Sequence, residues 1–400
     1  MNEPKPVRRV EVTEKNRRLR IIAAIVLAVI GAIGITTGIM TALNRETGWQ
    51  TVQVASKERN CSNSFTLRYN FEGSGAQVAV VNRQLEAAYE EACIKAYQLF
   101  TADEEIPGVN NVHYINRHPN EEIQVDPVLY RALEKLADTP YLYLGPVYAY
   151  YYNLTMGVED AALETLDPIT DVEARRYVGS LAGFAGDGES IRLELMGDNR
   201  ILLHVSQTYL EFAETEEIEN FIDFAYMANA FIIDYLADTL TNAGLTNGYL
   251  VSVDGYTRNL CSQGVFRFTV FDKVQERVYP AGEMEYTGPI SMVYLKSYPT
   301  EETMHLYRKN GDHFVSLYAD PAGGVYNATR SDLIGYSYDA GCADVLLQLL
   351  PSFVGQWFDE PMDVFSIWCD EETIFYNDPD LSVGSLLQNE EVSYQAVLQQ

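Results

Sequence analysis

The spacing of hydrophobic positions changes several times along the chain, and the first change comes early. Residues 21–44 form an apolar stretch without a charged side chain. As a helix, this stretch would exceed the ~30 Å thickness of a bilayer core, which predicts a membrane-spanning helix. A cleaved signal peptide is the alternative, but the apolar region of a signal peptide is usually only ~7–15 residues long. We therefore expect an uncleaved membrane anchor.

Patterns typical of strands and helices alternate through the rest of the chain. Alternating or β-branched runs predict strands at residues 64–71, 76–82, 264–272, 291–298 and 313–320, and a hairpin over 190–205. Apolar residues at helical spacing predict helices over 83–100 and 126–138, the second with Asp126 as N-cap and Pro127 at its first position. These elements predict an α+β fold with mixed or antiparallel sheets and packed helices.

Residues 221–255 have the clearest order of elements. Their sequence, FIDFAYMANAFIIDYLADTLTNAGLTNGYLVSVDG, predicts a strand, a long helix, a break at glycine and a second strand. No internal repeat or low-complexity linker interrupts the chain, so we predict one folded domain. The predicted organisation is a basic tail (1–20), the transmembrane helix (21–44), a linker (45–60), the domain (61–380) and a C-terminal tail (381–400).

The distribution of charge sets the predicted orientation in the membrane. Lysine and arginine outnumber acidic residues before the apolar stretch, and positively charged flanks stay in the cytoplasm. We therefore expect a single-pass protein of the cell membrane, with a cytoplasmic N-terminus and an extracytoplasmic domain. The formal net charge is −29 at pH 7, which argues against nucleic acid or anionic lipid head groups as partners.

The cysteines and the common catalytic motifs narrow the chemistry further. The five cysteines are widely spaced and form no CxxC pair, which argues against a disulfide framework. The pattern leaves open one or two disulfides outside the cell. The chain has no GxSxG, P-loop or HExxH motif, so neither a hydrolase triad nor His-based metal catalysis is predicted.

Six short segments, in chain order, resemble the FAD:protein FMN transferase (ApbE) family, and they run from about residue 60 to residue 380. They are Asn116 in VHYIN, Gly145-Pro146-Val147, the segment from Asp223 to Asp234, GLTNGYLVSVDG with Asn247 and Gly255, Asp320-Pro321 with Gly324 in YADPAGG, and Ala343-Asp344 in GCADVLLQLL. Each segment alone is weakly specific, and their shared order makes the resemblance. It implies a single ApbE-like, T-fold-related α+β domain.

The resemblance also implies a chemistry. Members of this family split FAD at its pyrophosphate and, with Mg²⁺, transfer FMN to a threonine or serine of an acceptor protein. FAD and Mg²⁺ are then the implied cofactors, and a flavin-accepting membrane protein is the implied partner. By position, the candidate catalytic residues are Asp223 and Asp320, the cofactor-binding residues are Asn116, Asp223, Ala228, Gly255 and Gly324, and the metal ligands are Asp344 and Gln348.

Several positions depart from the family pattern, and most of these departures remove a small or a cationic group. Ala225 and Tyr226 stand where the family has paired glycines, and Asn229 replaces its lysine. Asp254 adds a negative charge next to Gly255. Two further departures are Leu317 for a histidine and Gln348 for a threonine. Together these changes predict an eroded catalytic site.

Two functions of different classes are compatible with these residues. The first is an extracytoplasmic transferase that acts on FAD, and the second is a non-catalytic relative that keeps the fold to bind a ligand or a protein. Mg²⁺-dependent hydrolysis of FAD is a third and weaker alternative, because it needs the same ligands. Four carboxylates also have structural alternatives. They are Asp344 as a helix N-cap, Asp223 as a strand-end carboxylate satisfied by local N–H groups, Asp320 as a turn former, and Asp254 in a turn that ends a strand.

Overall fold

The computed structural model describes residues 47–275, 277–301, 303–355, 363–370, 372–381 and 394–399. The predicted cytoplasmic tail and transmembrane helix lie outside these ranges, and so does much of the predicted C-terminal tail. Within the described ranges, no helix is both long and apolar enough to cross a bilayer.

The chain divides into two compact units. The smaller unit contains residues 1–49 and 70–84, of which 47–49 and 70–84 are described. The larger unit contains residues 50–69 and 85–400. Every residue of the candidate site belongs to the larger unit.

The α-helices vary in length from two to seven turns. They are α1 (Gly75–Phe100), α2 (Val112–Arg117), α3 (Pro127–Leu136), α4 (Gly145–Met156), α5 (Asp160–Leu166), α6 (Val172–Gly186), α7 (Gln207–Thr215), α8 (Ala228–Asn242) and α9 (Cys342–Val354). Local sequence signals set several of their ends. Asp126 Oδ1 accepts the Val128 N–H at 2.8 Å and Pro127 stands in the first turn, as predicted for α3.

The strands form one large sheet and three small ones. They are β1 (Gly48–Val52), β2 (Phe65–Phe71), β3 (Glu122–Gln124), β4 (Ile191–Gly197), β5 (Arg200–Val205), β6 (Gly248–Ser252), β7 (Tyr256–Asn259), β8 (Val265–Val274), β9 (Arg277–Thr287), β10 (Ile290–Lys296), β11 (Arg308–Asn310), β12 (His313–Val315), β13 (Asp332–Ser337), β14 (Phe365–Asp370), β15 (Thr373–Tyr376) and β16 (Gln395–Leu398). The predicted α+β class is therefore confirmed. Strands β1 and β16 lie within the ranges predicted as linker and C-terminal tail.

The large sheet has nine strands in the order β1-β2-β6-β7-β10-β13-β14-β15-β16. Neighbours from β2 to β15 pair antiparallel, and β15 and β16 pair parallel. The small sheets are β3-β5-β4, β8-β9 and β11-β12. This agrees with the mixed or antiparallel sheets that the sequence predicts.

Strand β10 lies at the centre of the large sheet and is buried along almost its whole length. Ile290, Met292 and Tyr294 belong to one apolar cluster with Val270 of β8 and Met284 of β9. Helix α9 contacts β10, β13 and β7, and α8 contacts β6 and β7. The two helices that carry the predicted site residues Ala228, Asp344 and Gln348 are thus anchored on the middle of the sheet.

The hairpin predicted over 190–205 is confirmed as β4 and β5. Its turn residues Asp198 and Asn199 have positive φ angles of 51° and 59°, as a tight hairpin turn requires. Of the strand predicted over 313–320, only His313–Val315 is a strand, and it pairs with β11 apart from the large sheet.

The strand predicted at residues 76–82 was wrong, because these residues form the first turns of α1. Val78 and Leu85 are buried whereas Val80 is 57% exposed, so burial follows helical spacing and not the alternation of a strand. The valines in residues 76–82 favour a strand only weakly. The β-propensities of different residue types differ by at most about 1 kcal/mol, and they depend on structural context.

The strand predicted at the start of the 221–255 segment was also wrong. This segment is irregular and leads into a 3₁₀ turn over Ala225–Met227. A side chain and not a neighbouring strand holds its backbone, because Asn116 Oδ1 accepts the N–H groups of Phe221 and Ile222. The long helix and the second strand predicted after it are confirmed as α8 and β6.

Candidate functional site

A cavity of about 500 Å³ lies at the N-terminal end of α8, and its volume is within the range of small-molecule sites. Its walls come from the end of α1, from α4, from the segment before α8 and from the turn after β6. Aromatic and acidic side chains share the lining, among them Phe100, Tyr148, Tyr152, Tyr226, Asp103, Asp223 and Asp254. The predicted site residues Asp223 and Ala228 therefore both face this cavity.

Asn116 fixes the backbone of the segment that leads into the cavity. Its Oδ1 accepts the Phe221 N–H at 3.0 Å and the Ile222 N–H at 2.9 Å, and its Nδ2 donates to the Ile222 carbonyl at 2.9 Å. The side chain is only 2% exposed and does not belong to the cavity wall. The structure therefore gives Asn116 a positioning role beside the predicted cofactor site.

Asp223 is the residue that directly follows Phe221 and Ile222, whose backbone Asn116 holds. Its Oδ1 accepts the Ala225 N–H at 2.8 Å, which closes a local turn. Burial raises the pKa of Asp223 to about 6, and the nearby Asp103 carboxylate adds to the rise. Asp223 is thus a partly neutralised carboxyl group at a cavity that already holds other acidic groups.

The backbone at Ala225 has a φ of +45°, in the left-handed region that glycine adopts without steric cost. The resemblance expects glycine at this position, and the structure shows the conformation that glycine would serve. An alanine here carries a steric cost of about 1–2 kcal/mol. The substitution has therefore kept the turn and left it strained.

Asn229 and Asp254 meet across the cavity wall. Asn229 Nδ2 donates to Asp254 Oδ2 at 3.0 Å, and Ser252 Oγ donates to Asp254 Oδ1 at 2.5 Å. The resemblance expects a lysine in place of Asn229 and a glycine in place of Asp254. Among the described residues that line the cavity, none is a lysine or an arginine. The wall consequently carries negative charge without a cationic side chain in it.

Gly255 stands in the turn after β6 and lines a neighbouring cavity of about 310 Å³ together with Tyr226 and Asp254. Its φ is +99°, and a Cβ atom there would lie 2.4 Å from the Tyr294 carbonyl oxygen. Only glycine fits this close approach of the turn to Tyr294 of β10. The predicted cofactor-binding glycine is thus required by the sheet itself.

Asp320 and Gly324 lie in a tight loop apart from the 500 Å³ cavity. Asp320 Oδ1 accepts the Ala322 N–H at 2.9 Å, and the Asp320 carbonyl accepts the Gly324 N–H at 2.7 Å. Gly324 has a φ of +70°, and a Cβ there would lie 2.4 Å from the Val178 carbonyl oxygen. These contacts match the turn-forming alternative for Asp320.

Asp344 lies in the first turn of α9, in a second cavity of about 410 Å³. Its carboxylate forms an ion pair with the Lys135 ammonium group from the end of α3. Gln348, one turn further along α9, is exposed. The structure therefore places a protein cation on the carboxylate that the resemblance assigns to a metal.

Asp234 of α8, and not Asp344, caps α9. Its two carboxylate oxygens accept the N–H groups of Cys342 and Ala343 at 2.8 and 2.9 Å, and Arg258 pairs with it at 2.7 Å. Desolvation by burial raises the pKa of Asp234, and the Arg258 charge opposes that rise. The N-cap alternative for Asp344 does not hold, because a residue more than a hundred positions earlier supplies the cap.

Comparison with solved structures decides the fold. The flavin transferase ApbE from Vibrio cholerae superimposes with a TM-score of 0.50 at 14% identity, over 82% of this chain and 95% of that chain. The ApbE protein from Thermotoga maritima gives a TM-score of 0.52 at 12% identity, over 84% of this chain and 97% of that one. This chain has the ApbE fold. The sequence itself matches no family model and no curated protein.

The ApbE fold thus confirms the resemblance at the level of architecture, and the side chains decide whether the implied cofactors fit. A hard cation needs several oxygen ligands, but Lys135 occupies Asp344, and the described residues contain no cluster of three potential His, Cys, Asp or Glu ligands. A pyrophosphate carries charge that cations or N–H donors must offset, and the described lining of the cavity contains carboxylates and no lysine or arginine. The arrangement does not fit Mg²⁺ at the predicted ligands or the phosphates of FAD.

Two contributors to the ApbE-fold site escaped prediction from the sequence. Lys135 lies on a different helix from Asp344, and no local pattern points from one to the other. Tyr152 belongs to the run YAYYYNL, where the sequence is compatible with both a stacking role and a packing role. In the structure it lines the cavity with 56% of its surface exposed.

Proposed function

We propose that this protein is a flavin-binding relative of the ApbE flavin transferases that does not itself carry out Mg²⁺-dependent transfer of FMN. The observation that carries the proposal is the lining of the 500 Å³ cavity, which combines aromatic rings and carboxylates without a lysine or arginine among its described residues. The Lys135–Asp344 ion pair supports the same proposal.

Charge favours the flavin ring over the phosphates as the recognised part of the ligand. Two like charges about 4 Å apart repel by roughly 1–4 kcal/mol near a protein surface, so the Asp103 and Asp254 side chains disfavour a phosphate group beside them. The neutral ring system meets no such cost. Tyr152, which lines the cavity and is 56% exposed, offers aromatic surface for stacking.

The proposed cellular setting comes from the sequence. We place the folded part outside the cell membrane, held by the apolar stretch at residues 21–44, with the basic N-terminus in the cytoplasm. The excess of acidic residues suits a solvated domain in that position and disfavours contact with anionic lipid. A membrane protein that accepts or carries flavin is the partner class that fits this setting.

FMN transfer is the second candidate function, and the shared fold is the observation that favours it. In that function, FAD would be the donor, Mg²⁺ the metal, and a threonine or serine of an acceptor protein the site of attachment. The full-length protein in detergent, incubated with FAD, Mg²⁺ and an acceptor protein, tests it by mass spectrometry. We expect no added FMN on the acceptor, and a covalent FMN adduct would establish transfer and overturn the proposal.

Ring recognition is tested by one substitution and a matched control on α4. Tyr152→Ala should weaken riboflavin binding about fivefold, because a favourable aromatic pair contributes about 0.5–1.5 kcal/mol. Met156→Ala, one turn along α4 and equally exposed at 56%, should leave the affinity unchanged. Equal effects of the two substitutions, measured by flavin fluorescence, would count against a ring stacked in this cavity.

A further inference from the structure

Cys61 and Cys93 lie against each other in the larger unit. The Cys61 backbone N–H donates to the Cys93 carbonyl at 3.3 Å, and the neighbouring Cys93 thiol raises the pKa of the Cys61 thiol. Cys61 precedes β2, and Cys93 lies on α1, where it is fully buried. A backbone contact of this length is compatible with the ~4.4–6.8 Å between Cα atoms that a disulfide spans.

The surroundings of this pair differ from those of the other cysteines. The Cys261 thiol donates to Asn247 Oδ1 at 3.2 Å, and the Cys342 thiol donates to the Thr257 carbonyl at 3.3 Å. Each of these two thiols therefore has an oxygen acceptor, whereas Cys61 and Cys93 lie next to each other through their backbone contact. Cys61 is partly exposed, whereas Cys93 is buried, so Cys61 is the residue of the pair that lies nearer to solvent.

We propose that Cys61 and Cys93 form a reversible disulfide in the oxidising environment outside the membrane. The proposal rests on the predicted extracytoplasmic location and is independent of flavin binding. The oxidant belongs to the class of disulfide compounds, small or protein-borne. The Cys61 thiolate attacks one sulfur of that compound and releases the first thiol, and the Cys93 thiolate then displaces the second. The two cysteine protons and two electrons end on the two released thiols.

The bridge would close a chain loop of about 30 residues, which restricts the unfolded chain. For a protein of this size, we expect the melting temperature to fall by about 5 °C when the bridge is reduced. The interaction with the Cys93 thiol and, after it, burial raise the pKa of the Cys61 thiol, so the exchange is expected to be slow near neutral pH.

The test uses the full-length protein in detergent, incubated with oxidised or reduced glutathione and then alkylated after unfolding. In the oxidised sample we expect a linked peptide pair that contains Cys61 and Cys93, while Cys261, Cys342 and Cys369 are alkylated. Cys61→Ser should abolish the linked pair and the difference in melting temperature between the two samples. Cys261→Ser should preserve both. Free Cys61 and Cys93 in the oxidised sample, or a bridge to another cysteine, would overturn the proposal.

Discussion

The N-terminal ends of α8 and α9 offer a direct comparison, because both carry carboxylates that the sequence assigns to one flavin site. At the end of α9, Asp234 pairs with Arg258 and Asp344 pairs with Lys135. At the end of α8, Asp223 and Asp254 face a cavity whose described lining contains no lysine or arginine. A cavity lies at each end, but lysine and arginine side chains pair with the carboxylates at the α9 end and none lines the described cavity at the α8 end.

This difference separates two groups of contacts. The contacts of Asp234, Arg258, Asp344 and Lys135 at α9 form what we call the frame of the site, and the residues that line the α8 cavity determine its ligand chemistry. The contacts at α9 join helices to one another and to the sheet, so they stabilise the fold. The contacts at α8 shape a cavity whose described lining contains carboxylates and aromatic rings but no lysine or arginine. The ApbE fold of this chain is therefore compatible with a cavity of this composition.

The strongest test of the frame is Asp234→Ala. The substitution leaves Arg258 without its partner in a mostly buried position and removes the cap of α9. We expect the free energy of unfolding to fall by about 3–5 kcal/mol, measured by urea denaturation. Asp238→Ala, one turn along α8 at an exposed position, is the control and should change it by less than about 0.5 kcal/mol. Similar small losses for both variants would remove Asp234 from the frame.

Asn116→Ala tests whether the segment before α8 depends on the buried hydrogen bonds that the Asn116 side chain makes to its backbone. The variant leaves the Phe221 and Ile222 N–H groups without their acceptor, and we expect a loss of about 2–4 kcal/mol in the free energy of unfolding. Asn110→Ala removes a single exposed bond to the Gln124 carbonyl and should cost less than about 1 kcal/mol. A stable Asn116→Ala protein that had lost only flavin affinity would instead give Asn116 the cofactor-binding role.

The pH dependence of stability tests the raised pKa of Asp223 at the α8 end. The folded state holds the pKa of Asp223 at about 6, above its usual value near 4, so the folded protein binds the extra proton between these values. Stability from this group is therefore complete below about pH 4 and is lost as the pH rises through 6. We expect a contribution on the order of 2 kcal/mol, obtained as the difference between wild type and Asp223→Asn in urea midpoints from pH 4 to 7. Parallel curves for the two proteins would contradict the raised pKa.

Ala225→Gly tests the strain in the turn that opens α8. Because glycine adopts the observed φ of +45° without steric cost, we expect the variant to be more stable by about 0.5–1 kcal/mol, even though glycine loses more chain entropy on folding. Ala149→Gly on the exposed side of α4 should have the opposite sign, with a loss of about 0.5–1 kcal/mol. A loss at both positions would show that Ala225 is not strained.

Local signals in the sequence were enough for much of the fold. The Asp126 cap and the 190–205 hairpin need only neighbouring residues, and both were predicted. The 76–82 segment was wrong because its local preference for a strand is weaker than its helical context. The ordered motifs were also enough to indicate the ApbE fold, since each motif is a local feature and their order is a property of the chain.

The charge state of the site could not be predicted from the same information. Lys135 and Asp344 are 209 positions apart, and Asn116 reaches residues more than a hundred positions away. A motif states which residue stands at a position but not which distant side chain contacts it. For that reason the sequence indicated the positions of the candidate site, and only the structure showed how its two helix ends differ.

The central proposal is that the α8 cavity recognises the uncharged flavin ring and not the metal-bound phosphates of FAD. One titration tests this proposal most directly. The full-length protein in detergent is titrated with riboflavin and with FAD at neutral pH, with and without millimolar Mg²⁺, and flavin fluorescence is recorded. We predict that riboflavin binds at least as tightly as FAD and that Mg²⁺ changes the Kd for FAD by less than about twofold. A Kd for FAD at least about tenfold lower than that for riboflavin, and dependent on Mg²⁺, would contradict recognition of the ring alone.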